Sequence, residues 1–360
     1  MTEVIRQSKM AKYQKYIDAS RKGIKFMADN LDENGQFTGE DVRYDIDSMY
    51  KLPNQLLLDG RPREANRLLN NLKKNFLQQN GDFLSFPEKT GWERKTSDWH
   101  VTYNWPYVNA WICMAAQKAG RFDISFPSFN YLKTFWNPNL GAFNWCEPYD
   151  AAKEGKGVDQ SSCIFLNSHL GFTCLYFGDL DKARSTGDAI IKAFDGQPNL
   201  DEGLYMKISG DKGEVVTEGW GEDPKKTLFF VVKRKVGGQM YWQLGYPIIF
   251  LYKLHLATGE QRYLEYSKKV ADFAHSCHSD VLTYDKSHKV MYGAGLLAAA
   301  TKEEKYKKMA ETIADSILGH QGKDGRWLPE CPILDIFDQT SENAGWYREM
   351  FVEFDAFEQD

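Results

Sequence analysis

The chain has 360 residues, of which 42% are hydrophobic and 26% are charged, and its formal net charge at pH 7 is -5. A chain of this length can bury a large core, and its acidic balance gives no electrostatic basis for binding nucleic acid or an anionic membrane. No apolar run reaches the roughly 18 residues of a membrane-spanning helix, so we expect no membrane insertion.

The termini and cysteines point to a cytoplasmic protein. The first residues, "MTEVIRQSKMAKYQKY", lack the apolar core of a secretory signal. The six cysteines form no CxxC pair and no short-range framework, which in a core-rich chain favours reduced thiols. We expect a small-molecule substrate as the main partner, and a homo-oligomer remains open.

Two kinds of helical segment alternate along the chain. The first kind is charged and amphipathic, with one apolar stripe, and covers 11–29, 62–78, 126–136, 180–195, 260–275 and 302–319. The second kind is apolar on nearly every side and must be buried on every side; it covers 43–58, 101–118, 161–177, 239–257, 288–300 and 341–356. Six of each predict one all-α domain over 1–360, an (α/α)6 toroid with a double ring of six inner and six outer helices.

A short phrase marks the joints of this repeat. Glycine with an aromatic residue two places later follows amphipathic segments in "NGQF" (34–37), "NGDF" (80–83), "LGAF" (140–143), "EGLY" (202–205) and "QGKDGRW" (321–327). We expect this glycine to end the outer helix in a left-handed conformation. The loops that follow are long, with short β or irregular insertions, whereas the reverse connections are tight, so the working face should lie at the N-terminal ends of the inner helices.

These motifs carry a resemblance to known families. "QGKDGRW" resembles the Q-x-x-x-G-x-W pattern of squalene and oxidosqualene cyclases, and "RYDIDS" (43–48) is similar to their acidic D-x-D-D motif, with Ser48 at the fourth position. The resemblance implies an (α/α) barrel and a proton-donating role for Asp47. A toroid of this size also resembles the linalool dehydratase-isomerase family, and the glycine-aromatic joint occurs in six-hairpin glycosidases and sugar epimerases.

Candidate acid-base groups lie at the predicted starts of the inner helices. Asp45 and Asp47 open the first, where a carboxyl beside another has a raised pKa and can act as an acid, although one of them can equally serve as an N-cap. His100 opens the second, as an acid-base group or a structural histidine. Cys163 opens the third, where the helix dipole can lower a thiol pKa, with a buried inert cysteine as the alternative. Glu342 opens the sixth, with helix capping as the alternative.

Aromatic residues near the same helix starts are candidates for binding substrate. They are Tyr44, Tyr103, Trp105, Tyr107, Trp220, Tyr241, Trp242, Tyr246, Tyr292 and Trp346. We predict no metal site, because "HSCHSD" (275–280) does not have the usual zinc spacing. We predict no cofactor, because neither a dinucleotide-binding nor a P-loop glycine motif occurs.

Three functions remain open at this level. The first is a cofactor-independent lyase, isomerase or cyclase that acts on a small, largely apolar, isoprenoid-like substrate, because aromatic faces stabilise a developing cation and few cations are expected at the mouth. The second is a carbohydrate-active enzyme, a glycoside hydrolase, uronyl hydrolase or sugar epimerase, that uses paired carboxylates and stacking tryptophans. The third is a binding toroid without catalysis. The resemblance favours the first.

Overall fold

The structure is a computed structural model that describes residues 10–85, 94–96, 104–145, 161–219 and 224–358. Within them the chain forms fourteen α-helices joined by short strands. The first seven are α1 (Gln14–Asp29), α2 (Glu40–Arg43), α3 (Leu52–Leu58), α4 (Pro62–Asn75), α5 (Trp105–Lys118), α6 (Phe122–Lys133) and α7 (Ile164–Tyr176). The others are α8 (Leu180–Asp195), α9 (Pro224–Phe230), α10 (Trp242–Thr258), α11 (Gln261–Ser276), α12 (His288–Thr301), α13 (Glu304–Leu318) and α14 (Ile333–Glu358).

The short strands all belong to the connections between helices. They are β1 (Trp136–Asn137), β2 (Ala142–Phe143), β3 (Ser162–Cys163), β4 (Gly203–Tyr205), β5 (Lys207–Ile208) and β6 (Val231–Lys233). They form three antiparallel pairs, β1 with β2, β3 with β5 and β4 with β6. Two 3-10 turns, Ile46–Ser48 and Ser279–Leu282, complete the list.

Six inner helices form a closed ring. In ring order they are α3, α5, α7, α10, α12 and α14, and each packs against the next, with α14 returning to α3. Each inner helix also packs against an outer helix adjacent to it in sequence, except α14, whose outer partner is α1 from the other end of the chain. This arrangement is the (α/α)6 toroid that the alternating segments predict, and that prediction is confirmed.

The sequence of each helix explains its ring. Helix α5 buries twelve of its residues, from Trp105 to Ala116 without interruption, because both of its neighbours in the ring and α6 cover it. The outer helix α4 buries only one stripe, which includes Leu68, Leu69 and Leu72, and exposes the rest. Burial on every side therefore distinguishes inner from outer helices.

The repeated glycine-aromatic phrase builds a small bridge after the outer helix instead of ending the helix itself. Leu31 pairs with Phe37, Leu77 with Phe83 and Gln321 with Trp327. Gly325 has φ of 100°, and a Cβ there would lie 2.4 Å from the carbonyl oxygen of Lys22 in α1. The glycine is therefore required because the turn contacts the backbone of the neighbouring outer helix.

The tryptophan and glutamine of "QGKDGRW" fasten three helices together. The indole N–H of Trp327 donates to the carbonyl of Ile317 at 3.1 Å, and its backbone N–H donates to the hydroxyl of Thr340 in α14 at 2.9 Å. The amide of Gln321 donates to the carbonyl of Ala19 in α1 at 2.9 Å. The last outer helix, the last inner helix and the first outer helix are thereby connected.

Two inner helices differ from their predicted bounds by more than four residues. The first, α3, is confined to Leu52–Leu58, because the acidic segment before it forms a separate 3-10 turn at Ile46–Ser48. The sixth, α14, begins at Ile333 instead of 341, so Glu342 lies in its third turn. Thr340 and Ser341 therefore do not cap this helix, contrary to the alternative considered for Glu342.

Candidate functional site

A cavity of about 160 Å³ opens at the N-terminal ends of the inner helices. A cavity of roughly this size, about 150 Å³, accepts a single six-membered ring in other proteins. Its described lining combines aromatic with charged side chains: Tyr50, Lys51, Asn104, Tyr107, Phe165, Met240, Trp242, Tyr284, Lys286, His288, Lys289, Asp335, Asp338, Gln339 and Glu342. Such a lining suits a polar ligand with apolar faces.

The carboxylate of Glu342 is the centre of the charged part of the cavity. Its Oε2 accepts from Lys51 Nζ and lies 3.3 Å from His288 Nε2, while its Oε1 forms an ion pair with Lys289 Nζ. The indole N–H of Trp346 also donates to Oε1, at 3.1 Å. Lys51 lies at the start of the first inner helix, α3, whereas His288 and Lys289 lie at the start of the fifth, α12. Closure of the ring brings these groups together.

The pKa values follow from burial and from these charges. Burial would raise the pKa of Glu342, but the charges of Lys289 and Lys51 and the hydrogen bond with His288 hold it well below its usual range. Burial and the charge of Lys289 lower the pKa of His288 to about 3. Burial lowers the pKa of Lys289 to about 8, although Glu342 opposes the shift. At neutral pH the group therefore consists of a carboxylate, a neutral imidazole and an amine close to its titration.

A second carboxyl, Asp338, lies one helical turn before Glu342. Its Oδ1 is 2.6 Å from Lys51 Nζ, and its Oδ2 accepts from the amide of Gln339 at 2.9 Å. Burial raises the pKa of Asp338, and the negative charge of Glu342 raises it further, although the ammonium group of Lys51 opposes the shift. The pKa of Lys51 is raised, because the two carboxylates outweigh its burial. Lys51 therefore stays charged and joins two carboxyls whose pKa values move in opposite directions.

Aromatic rings form the wall and the floor. Tyr107 and Trp242 line the cavity. Beneath them His169 is fully buried, with its ring centroid 4.7 Å from that of Tyr107 and 4.5 Å from that of Tyr246. Burial lowers the pKa of His169 well below its ordinary value, so this histidine is a neutral part of the core.

Of the predicted site residues, Glu342, Tyr107 and Trp242 line the cavity. Three predicted aromatics, Tyr246, Tyr292 and Trp346, pack together beneath it. The ring of Trp346 stacks on that of Tyr292, with centroids 5.0 Å apart, and meets that of Tyr246 edge to face, with centroids 6.0 Å apart. They support the floor, because Trp346 also holds Glu342. Their direct contact with a substrate stays a prediction.

The acidic segment before α3 forms a 3-10 turn and caps it with one of its own carboxyls. Asp45 caps the 3-10 turn by accepting from the backbone N–H of Asp47 at 3.1 Å. This contact corresponds to the N-cap role that was considered as the alternative to an acid role. Both carboxyls are buried, and neither is among the residues that line the cavity. Tyr44 is half-buried beside Arg43, whose guanidinium lies 5.9 Å from its ring.

Two further aromatic candidates have structural partners. The indole of Trp105 donates to Asp82 at 3.0 Å, within a buried group that includes Lys95 and Asn109. The hydroxyl of Tyr241 donates to Asp280 at 2.5 Å. Neither Trp105 nor Tyr241 lines the cavity.

Cys163 is the N-cap of α7, where its sulfur accepts from the backbone N–H of Leu166 at 3.4 Å. Burial raises the pKa of this thiol to about 12, which corrects the expectation of a pKa lowered by the helix dipole. The desolvation of the thiolate outweighs the effect of the helix dipole on the pKa. The structure therefore fits the alternative considered for Cys163, a buried and inert cysteine. His100, Tyr103 and Trp220 lie outside the described residues.

The sequence reasoning missed Lys51, His288, Lys289 and Asp338. It also expected few cations at the mouth, which is wrong, because three lysines line the cavity. A signal was present: "MYKLPN" and "SHKVMY" place lysines within segments that are otherwise apolar. A lysine on a helix that is buried on every side requires a buried partner, and that requirement indicates a polar site.

Known proteins match this chain in their structure but not in their sequence. No protein-family model matches the chain, and no curated protein matches it. It is similar to a D-mannose isomerase (TM-score 0.61, 14% identity, 98% of both chains) and to an unsaturated glucuronyl hydrolase specific for heparin (0.60, 12%, 96% of this chain and 98% of the other). It is also similar to a GH76 α-mannanase of Bacteroides thetaiotaomicron (0.60, 12%, 94% and 96%). At these identities the likeness shows the fold, the (α/α)6 toroid.

The expectation of an isoprenoid-like substrate and cyclase-type chemistry is wrong. The three similar toroids described above are proteins named for sugar substrates. The cavity agrees with this correction, because its described lining includes three lysines, three carboxyl groups and a histidine. An apolar hydrocarbon would leave these buried charges without solvation, whereas the hydroxyl groups of a sugar can bond to them.

Proposed function

We propose that this chain is a sugar-acting enzyme that moves a proton at the carbon next to the carbonyl of an open-chain sugar, as isomerases and 2-epimerases do. The observation that carries the proposal is the neutral His288 held against Glu342 in a cavity of single-ring size. The likeness to a D-mannose isomerase over nearly the whole chain supports the same class of reaction.

His288 has the features of a general base. Its Nδ1 has no hydrogen-bond partner among the described residues, whereas its Nε2 faces Glu342 Oε2 at 3.3 Å and Lys289 Nζ at 2.8 Å. Once the Lys289 ammonium group donates to the carbonyl oxygen of the bound sugar instead of to Nε2, Nε2–H can donate to the carboxylate of Glu342. The lone pair of Nδ1 is then left to accept a substrate proton, and Glu342 stabilises the imidazolium that forms. Glu342 is thus a positioning residue and an electrostatic stabiliser.

Lys289 has the features of the acid. In the forward step His288 takes the proton from C2 of the aldehyde, the C2–H electron pair forms a C1–C2 double bond, and the carbonyl oxygen takes a proton from the Lys289 ammonium. The product is an enediol. A proton returned from His288 to C1, with the O2 proton passed back to Lys289, gives the ketose; a proton returned to C2 gives an aldose again. A donor whose pKa is about 8 is suited to both directions near neutral pH.

The charges of the cavity favour an uncharged sugar. Among the lining residues that the structure describes, Lys51 is paired with Asp338 and Glu342, Lys289 with Glu342, and Lys286 with Asp335 at 3.9 Å. Each lysine thus has a carboxylate of this chain as its partner, and a uronate would compete with one. The rings of Trp242 and Tyr107 offer faces for the C–H side of a sugar ring.

Exchange of a sugar hydrogen with solvent tests the proposal. We expect the protein, incubated in D2O with mannose, glucose and fructose, to introduce deuterium at C1 or C2, which NMR resolves. His288→Gln should lower the rate by about 10²- to 10⁴-fold, the usual contribution of a general base. His275→Gln, at an exposed histidine, is the matched control and should keep the wild-type rate. Full exchange in His288→Gln would contradict the assignment.

Glycoside hydrolysis is a second candidate, and the carboxyl pair favours it. Asp338 and Glu342 have pKa values shifted in opposite directions, as an acid and a nucleophile or base require. Against it, both carboxyls lie on one helix and bind the same ammonium group, so they do not flank a bond between them. Release of reducing ends from mannans or unsaturated uronides, abolished in Asp338→Asn, would make hydrolysis the primary function.

A further inference from the structure

We infer that Lys289 binds sugars covalently, by forming an imine with the carbonyl carbon. The inference rests on the proposed function, because it needs an open-chain sugar in the cavity, and it goes further by naming a nucleophile and a product. Imine-forming lysines are amines kept from water and placed beside another cationic group, which makes a neutral amine available at moderate pH.

The surroundings of Lys289 meet these conditions. Its side chain is 4% exposed and lines the cavity. The rings of Trp242 and Tyr246 each lie with their centroids 5.7 Å from Nζ, and His288 Nε2 lies 2.8 Å away. The ammonium group of Lys51 shares the carboxylate of Glu342 with it. The same carboxylate would be the counter-ion of a protonated imine.

The other two cavity lysines provide an internal comparison. Lys51 is held between two carboxylates, and its pKa is raised by Asp338 and Glu342 against the effect of burial. The pKa of Lys286 is raised as well, with Asp335 as the main cause against its burial. Lys289 shares one carboxylate and is the only one of these three whose pKa is lowered. A reaction that needs a neutral amine therefore selects Lys289.

The step balances without any outside reagent. The lone pair of the neutral amine forms the N–C1 bond, the carbonyl π electrons move to oxygen, and that oxygen leaves as water with both hydrogens of the amine. One solvent proton taken up by the imine nitrogen gives the iminium ion opposite Glu342. His288 then removes the C2 proton, and the C2–H electrons move through C1 to the nitrogen.

This route determines the product. A proton delivered to the other face of C2 from a cavity water, which the imidazolium of His288 reprotonates, gives the iminium ion of the 2-epimer, and water releases the sugar. A proton delivered to C1 would instead leave a C–N single bond that water does not cleave. Turnover through the imine therefore interconverts 2-epimeric aldoses and does not yield the free ketose.

Reductive trapping tests the inference. The full-length protein is incubated with mannose and sodium borohydride, and intact-mass and peptide mass spectrometry follow. We expect one adduct, equal to a hexose less one oxygen atom, on the peptide that contains Lys289. Lys289→Arg keeps the charge opposite Glu342 but should lose the adduct, and Lys289→Met serves if the arginine does not fit. Lys308→Met, at an exposed lysine, should keep it.

The outcomes separate this inference from the proposed function. An adduct on Lys289, with glucose as the product from mannose, supports the inference. Solvent-hydrogen exchange without an adduct, or labelling spread over other lysines, overturns it and leaves the proposed function standing. The absence of both exchange and adduct overturns both.

Discussion

At the scale of single residues, Glu342 holds together charges that burial would otherwise make unstable. It is 1% exposed and interacts with Lys51, Lys289 and His288 at once. Glu342→Gln would leave two buried ammonium groups with one carboxylate, Asp338, between them. We expect a loss of about 3–5 kcal/mol in the free energy of unfolding, the usual result of removing one partner of a buried ion pair. Urea unfolding measures it.

The control for that change is Glu330→Gln, at an exposed glutamate, which should alter the free energy of unfolding by less than about 0.5 kcal/mol. Equal stability of the Glu342→Gln and Glu330→Gln variants would contradict the charge arrangement described for the cavity.

The buried histidines make stability depend on pH. The pKa of His288 is about 3 in the folded protein and 6.5 ordinarily, so the unfolded chain binds more protons between these values. The stability from this group is therefore complete above pH 6.5 and is lost as the pH falls. We expect a loss of about 2 kcal/mol between pH 7 and pH 5 from His288, and a further loss in the same direction from His169, whose pKa burial also lowers.

Chemical denaturation at a series of pH values measures this slope. His288→Gln should reduce the decrease between pH 7 and pH 5 by about 2 kcal/mol, whereas His275→Gln should leave it unchanged. A slope that is the same in His288→Gln and in the wild type would show that His288 is not buried as a neutral group.

The sequence allowed some of these residues to be predicted and concealed others. Glu342 was identifiable, because it lies near the predicted start of the sixth inner helix, where the working face was expected. Lys51 and Lys289 become meaningful only when the first and fifth inner helices are known to face the same carboxylate. That proximity depends on the order of helices around the ring, which no local pattern contains.

At the scale of the elements, the turn at Gly325 connects neighbouring hairpins. Its φ of 100° and the 2.4 Å approach to Lys22 exclude a side chain for two separate reasons. Gly120 provides a matched control, because its φ is 69° but no atom lies within 4 Å of a Cβ placed there. We expect Gly120→Ala to lose about 1–2 kcal/mol, the cost of the left-handed conformation, and Gly325→Ala to lose clearly more.

Thermal unfolding of the two variants makes the comparison. Equal losses would mean that the conformation of the turn alone matters and that contact with α1 contributes nothing. This glycine illustrates what the sequence could show: the phrase predicted a repeated joint, but its contact with the next outer helix required the structure. Similarly, the bounds of α14 were missed because its first two turns carry polar residues that face the cavity.

At the scale of the whole molecule, the described ends of the chain lie together. The hydroxyl of Tyr13 lies 3.3 Å from Oε1 of Glu358, and Lys12 Nζ lies 3.9 Å from the same oxygen. We expect a circular permutant that joins residue 360 to residue 1 and opens the chain between Ala119 and Gly120, in an exposed turn, to keep helical circular dichroism and a cooperative unfolding transition.

A second permutant, opened between Gly293 and Ala294 inside the buried helix α12, is the control and should not fold. If both permutants unfolded cooperatively, continuity of the inner helices would not be needed for the ring. If neither did, the order in which the hairpins are synthesised would matter more than their contacts.

The return of α14 to α3 and α1 has a consequence for the size of the protein. In an open array of hairpins the two terminal repeats need specialised polar faces, because each lacks a neighbour. Here every hairpin packs against two others, so none of the six has an apolar end face that would be exposed to solvent. Loss of one hairpin would expose the apolar faces of both of its neighbours at once. Closure of the ring therefore takes the place of the specialised terminal repeats that an open array requires.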